Sequence, residues 1–170
     1  MGKIYDTAES KANERRVMAS VSRRFGVEGT KLPEFGEIDF VISRNGKDWG
    51  WAEVKCRWNP SGKYPTYMID LAKVEALRAA AAGTDSHARI IVRWDDCLGV
   101  VDAATCTYTT GWGGRTDRND PLDRDMMAYI PVSAFKMYPL EDLEGMGSGC
   151  SGHGGRAAGL RDQWTSTSGE

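Results

Sequence analysis

A chain of 170 residues, at about 100 to 200 residues per domain, has room for one compact domain and a tail, which excludes barrels and paired nucleotide-binding halves. With 41% hydrophobic and 27% charged residues it has globular composition and enough length for a single core. Lys and Arg number 22 against 24 Asp and Glu, a formal net charge of -2, so the global field does not draw in polyanions. Such a partner must be held by a local basic patch or by metal ions.

In chain order, Thr7 to Arg24 places Ala8, Ala12, Val17 and Val21, with Met18 and Phe25 nearby, at three- to five-residue intervals among Glu, Arg, Lys and Ala. This pattern predicts an amphipathic helix closed by Gly26. Glu37 to Ser43 reads as a strand, Asn45 and Gly46 as a turn, and Trp49 to Arg57 as the returning strand of a hairpin. After a loop through Asn59, Pro60, Ser61 and Gly62, Thr66 is expected to cap a helix running through Ala82 and ended by Gly83. Ile90 to Val92 and Leu98 to Val101 read as two further strands around Asp95 and Asp96, Gly111 to Asp120 as turns, and Tyr129 to Val132 as a short extended piece.

The expected organisation is a domain over residues 1–144 followed by a Gly- and Ser-rich tail over 145–170, too poor in apolar residues to offset its ordering entropy. No apolar run approaches the roughly 18 residues needed to span a bilayer, and Met1 to Asp6 lack a hydrophobic secretory segment, so the expectation is a cytoplasmic protein without a membrane partner. Cys56, Cys97, Cys106 and Cys150 form no Cys-x-x-Cys pair and are expected to be reduced; Cys150 and His153 have no second pair with which to make a zinc box.

The chemistry concentrates in the hairpin. Residues two apart in a strand share a face, so Glu53 and Lys55 lie side by side while Ala52 and Val54 face the other way. With a plain two-residue turn at Asn45 and Gly46, Asp39 would point away from Glu53. An odd-length loop or a bulge brings Asp39 opposite Glu53 and also pairs Ile38 with Val54 and Phe40 with Ala52, sorting apolar with apolar. Two facing carboxylates repel unless a divalent cation lies between them. Mg²⁺ suits such a pair because it is hard, prefers oxygen and takes one or two protein carboxylates, with Mn²⁺ as a substitute. Lys55 could then position or deprotonate a water, or neutralise developing charge.

Asp39 followed by Glu53, Val54 and Lys55, between a Glu-bearing helix and a following helix and strand, resembles the PD-(D/E)xK nuclease superfamily, with Ile38 in place of the proline. The segments Trp51 to Arg57, Lys63 to Met68 and Val92 to Asp96 are similar to small bacteriophage-encoded members. The resemblance implies an α/β fold, a mixed central sheet flanked by helices in the manner of restriction endonucleases. It also implies metal-dependent hydrolysis of DNA phosphodiesters at Asp39, Glu53 and Lys55, with the Val54 carbonyl as a further ligand. Such folds often add a carboxylate from the first helix, here Glu14 with Glu9 in reserve. Tyr64 and Tyr67 would contact a phosphate or stack on a base, and Lys73 would reach the same cleft. A homodimer follows by analogy with nucleases that cut both strands.

Three other readings compete. Glu53 and Lys55 can be an exposed ion pair on an edge strand with no function. The chain can be a non-catalytic module that keeps the nuclease fold to dock on DNA or a host protein. It can also be a structural or host-interaction protein working through its tail. The arginines Arg15, Arg16, Arg23 and Arg24 read as a solvated helix face, and Tyr67 with Trp49, Trp51, Trp94 and Trp112 as packing rather than base-stacking platforms.

Overall fold

Helix α1 (Ala8–Phe25) starts where the Thr7 hydroxyl accepts from Ser10 N at 3.1 Å, and stops at Gly26, whose φ of 64° lets its N–H reach Ser22 O. Its Val17, Met18, Val21 and Phe25 stripe is buried. The computed structural model describes residues 7–33, 36–114 and 124–140. Strand β1 (Glu28–Lys31), an edge strand too short for its alternation to stand out in the sequence, follows the helix directly and pairs antiparallel with β2 (Phe40–Arg44).

β2 and β3 (Lys47–Cys56) form the expected hairpin, and its register combines a two-residue turn with a bulge. Asn45 and Gly46, with φ of 52° and 73°, make a two-residue turn, so Arg44 faces Lys47 and Ser43 faces Asp48. Ile42 then faces Gly50, leaving Trp49 as an extra residue on β3. The bulge shifts the register by one and sets Phe40 opposite Ala52. Asp39 lies one residue before β2, where its carbonyl accepts from Leu32 N at 2.8 Å.

The helix expected from Thr66 to Ala82 is shorter. Thr66–Asp70 is strand β4, with Tyr67 and Ile69 buried and Met68 and Asp70 exposed; only Leu71–Ala81 is helix α2. Tyr67, Leu71 and Val74 satisfy helical spacing and Tyr67 and Ile69 satisfy strand spacing. The choice falls to β8 (Arg124–Pro131), which supplies an antiparallel backbone partner for all five residues. Asp70, rather than Thr66, precedes the helix.

From α2 the chain enters β5 (His87–Arg93), parallel to β3, then β6 (Leu98–Asp102), antiparallel to β5. β7 (Thr109–Gly114) pairs with β8, and β9 (Lys136–Tyr138) with β6. The result is α/β: a mixed six-stranded sheet in the order β1-β2-β3-β5-β6-β9 and a three-stranded sheet β4-β8-β7. One apolar cluster packs α1 against Phe40, Ile42, Ala52, Val54 and Ile91; the other packs Val74 and Leu77 of α2 against Ile90 and Val92 and the buried residues of β4 and β8. β3 and β5 approach so closely at Gly50 that a Cβ there would stand 2.2 Å from His87 O.

Gly111 to Gly114, read as turn, belongs to β7; residues 115–123 and the tail from 145, with Cys150 and His153, lie outside the described residues. Cys56, Cys97 and Cys106 are free. No helix among the described residues is long and apolar enough to cross a membrane.

Candidate active site

Strand alternation divides β3 between two environments. Ala52 and Val54 are fully buried in the α1-side core, and Glu53 and Lys55 project from the opposite face, the one carrying Trp51. Because Phe40 pairs with Ala52, Asp39 falls beside Glu53, close enough that each carboxyl alters the other's ionisation. The bulge at Trp49 therefore brings the two acids together.

Lys55 Nζ lies 2.7 Å from Glu14 Oε1, 3.4 Å from Glu53 Oε1 and 3.7 Å from Asp39 Oδ2. Lys73 of α2 stands 2.8 Å from Glu53 Oε1 and 3.8 Å from Asp39 Oδ1. Lys31 at the end of β1 stands 3.1 Å from Asp39 Oδ1 and 3.7 Å from Glu14 Oε2. Three acids from α1, the residue before β2 and β3 thus meet three amines from β1, β3 and α2.

The acids are dry: Glu53 is 0% and Glu14 1% exposed. Burial pushes the Glu53 carboxyl up to about 8, against the opposing pull of Lys55 and Lys73. Burial also works to raise Asp39, but its coupling to the neighbouring Glu53 carboxyl and the charges of Lys73, Lys55 and Lys31 prevail and hold it below the usual carboxylate range. Burial works to lower both Lys55 and Lys73. The neighbouring carboxylates, Glu53 first, outweigh it and raise both amines. Adjacent acids with ionisation pushed in opposite directions are the pattern of a site where charge and protons are handled. The exposed edge-strand reading of Glu53 and Lys55 fails, since β3 lies between β2 and β5 and Glu53 is inaccessible.

Donor chemistry fits a hard divalent cation. Both Glu53 carboxylate oxygens, Asp39 Oδ2 and Glu14 Oε2 are buried without a hydrogen-bond partner, so the nearby amines neutralise them by proximity more than by directed bonds. Among the described residues no three His, Cys, Asp or Glu side chains are placed to hold one ion together. Asp39 and Glu53 would be the carboxylate ligands, a number that suits Mg²⁺ or Mn²⁺. Glu14 is turned instead toward Lys55.

The structure brings Glu14, Asp39, Glu53, Lys55 and Lys73 into one cluster. The Val54 side chain lies in the opposite core, which leaves only its backbone carbonyl as a candidate ligand. Glu9 is exposed on the first turn of α1, away from these contacts. Tyr64 is 56% exposed. Tyr67 is buried, its ring edge-to-face with Trp94 and Phe135 at 5.9 and 5.7 Å, and its hydroxyl has no partner. Lys31 was not among the expected residues. It sits on a strand the pattern did not show, and a lysine there carries no signature by itself.

A sheet that presents an aspartate at the start of one strand and Glu-x-Lys on the next, flanked by two helices, has the arrangement of the PD-(D/E)xK nucleases. The family described as "Phage putative PDDEXK endonuclease" matches residues 1–138, and the chain belongs to it. Among solved structures, Hjc from Archaeoglobus fulgidus, a Holliday junction resolvase, is similar at 15% identity and a TM-score of 0.48, over 73% of this chain and 90% of that one. No curated protein matches.

Proposed function

We propose that the protein is a metal-dependent, phage-type endonuclease that hydrolyses DNA phosphodiesters at the cluster of Asp39, Glu53 and Lys55. The observation that carries this reading is the buried pair of neighbouring carboxylates with unpartnered oxygens beside a lysine. Pairs of this kind are costly to a fold, and membership of an endonuclease family supplies a use for them.

Asp39, Glu53 and the Val54 carbonyl would hold the cation, which when bound supplies charge neutralisation at the phosphate and an acidified water. Lys55 stays an ammonium among three carboxylates, so it acts as a charge and hydrogen-bond donor toward the phosphoryl group. Glu14 orients that ammonium through the 2.7 Å contact and is a positioning residue. Lys31 and Lys73 offset the remaining acidic charge, and Lys73, beside Glu53, also faces the phosphate's approach.

The test is incubation of the purified protein with single-stranded, duplex and branched DNA in Mg²⁺ or Mn²⁺. Cleavage by the wild type that Glu53→Ala and EDTA both abolish is the expected result. Equal cleavage by wild type and Glu53→Ala overturns the assignment. Absence of cleavage, with DNA binding that persists in EDTA and survives Lys55→Met, would instead identify a binding module.

A further inference from the structure

Beside the acidic cluster, where β3 ends, the chain forms a cavity of about 320 Å³ that the hydrolytic residues do not use. Its walls include Arg57, Tyr64, Tyr67, Met68, Trp94 and Tyr129. The walls are thus aromatic, with a single guanidinium among them, a lining that suits a flat, uncharged ring attached to an anion. The size is that of one nucleotide and excludes a base pair with its backbone.

Arg57 ties the cavity to the site. It has the same strand parity as Glu53 and Lys55, and its N–H donates to Arg93 O at 2.8 Å, carrying the parallel ladder one step beyond β3. At about 3.3 Å per residue, Arg57 stands about 6.6 Å further along than Lys55, comparable to the separation of successive phosphates on one strand. Its guanidinium carbon lies 5.2 Å from the centre of the Tyr67 ring. Tyr67 also senses Glu53 and Lys55 electrostatically, although burial is the main cause that pushes its hydroxyl up to about 12.

The cavity is pre-formed. Ser61 donates through its N–H and its hydroxyl to the Asp96 carboxylate, both at 2.8 Å, and Asp95 N donates to Asn59 O at 3.1 Å, pinning one rim. Val132 N donates to Pro65 O at 3.0 Å and pins the other. Two polar or aromatic groups are left over. The buried Tyr67 hydroxyl has no hydrogen-bond partner, and the Tyr64 ring is 56% exposed at the mouth. A base edge would satisfy the hydroxyl, and a base face would cover the ring.

We propose that this cavity takes one unstacked nucleotide of the DNA strand being cut, its base against Tyr64 and its phosphate on Arg57. The inference rests on the nuclease reading and extends it to substrate form: the protein engages DNA where a base is free to leave the duplex and binds uninterrupted duplex more weakly. The orphaned hydroxyl gives the pocket a hydrogen-bonding preference as well as a stacking one.

The experiment is equilibrium binding of the full chain in EDTA, where no cleavage occurs, followed by fluorescence anisotropy. Probes are a labelled single DNA strand, the same strand in a duplex, and a strand of the same length with abasic residues throughout. One base–aromatic stack contributes about 1–3 kcal/mol, so the abasic strand and Tyr64→Ala should each bind about 5- to 150-fold more weakly, with Tyr64→Phe close to wild type. Arg57→Gln should lower the slope of log affinity against log salt by about 0.7, one phosphate's worth on a single strand. Tyr64 is exposed, so its replacement does not threaten the fold, and the abasic probe needs no substitution. If the abasic strand and Tyr64→Ala both bind as tightly as the unmodified pair, or duplex binds as tightly as single strand, the pocket assignment is overturned. Wild-type cleavage in Mg²⁺ separates the two readings: a stacking effect that persists while the wild type cleaves none of the DNA forms keeps the pocket and removes the nuclease.

Discussion

At Glu53 the two faces of β3 are equally dry and chemically opposite. On one, Ala52 and Val54 lie among Val17, Val21, Ile42 and Ile91, all fully buried; on the other, Glu53 is just as inaccessible, yet its neighbours are Asp39, Lys55 and Lys73. Removing a large apolar side chain from water contributes about 1.5–3 kcal/mol, whereas removing a charge costs several and is recovered only through partners of good geometry. The hydrocarbon face accounts for the stability of the strand. The charged face draws on it, and its unpartnered oxygens show that the amines do not fully compensate. Equal burial therefore does not mean equal purpose.

The largest expected effect separates the faces directly. Glu53→Gln keeps shape and removes a buried ionisable group, so cleavage in Mg²⁺ should fall on the order of 10²–10³-fold while the thermal midpoint holds or rises. Retained cleavage with a lowered midpoint would exchange the roles of the two faces. The converse substitution is Ile91→Ala, which empties the apolar side. Urea unfolding should register a loss of about 2–5 kcal/mol, with cleavage per folded molecule unchanged at a permissive temperature.

Gly50→Ala tests the close approach of β3 and β5 on which both faces depend. A Cβ 2.2 Å from His87 O cannot be accommodated without moving a strand, and the expected loss is about 1–3 kcal/mol; an unchanged midpoint would show that the ladder yields at no cost. The smallest effect is acid-side. Burial, then the Arg89 charge, holds the His87 imidazole below its usual 6.5. Because the folded value is the lower one, the stability it contributes is present above pH 6.5 and lost as pH falls through the folded value. Urea midpoints of wild type should therefore drop toward acid more steeply than those of His87→Gln, and parallel curves would remove His87 from the account.

How much of this was legible varies by element. Helix α1 could be read from Thr7, its apolar stripe and Gly26, because caps and periodicity are local. The hairpin could be read from Asn45 and Gly46, and the facing register of Asp39 and Glu53 from the demand that Phe40 meet Ala52. β4 could not, since Tyr67, Ile69, Leu71 and Val74 fit both periods and the deciding partner, β8, lies far along the chain. Lys31 was invisible for a related reason. Nothing in Glu28 to Lys31 indicates that β1 will bring an amine to 3.1 Å from Asp39.

By itself the sequence determined the elements whose causes lie within a few residues: the capped helix, the turn, the alternation that puts Glu53 and Lys55 on one face, and the motif that marks the family. Only the tertiary structure decided that Glu53 would be fully buried, that Lys31 and Lys73 would join Lys55 around the acids, and that an aromatic cavity would open beside Arg57. The physical reason is range. Backbone preferences act between neighbours in the chain, whereas ionisation and cavity shape depend on distances between groups carried by separate strands and helices.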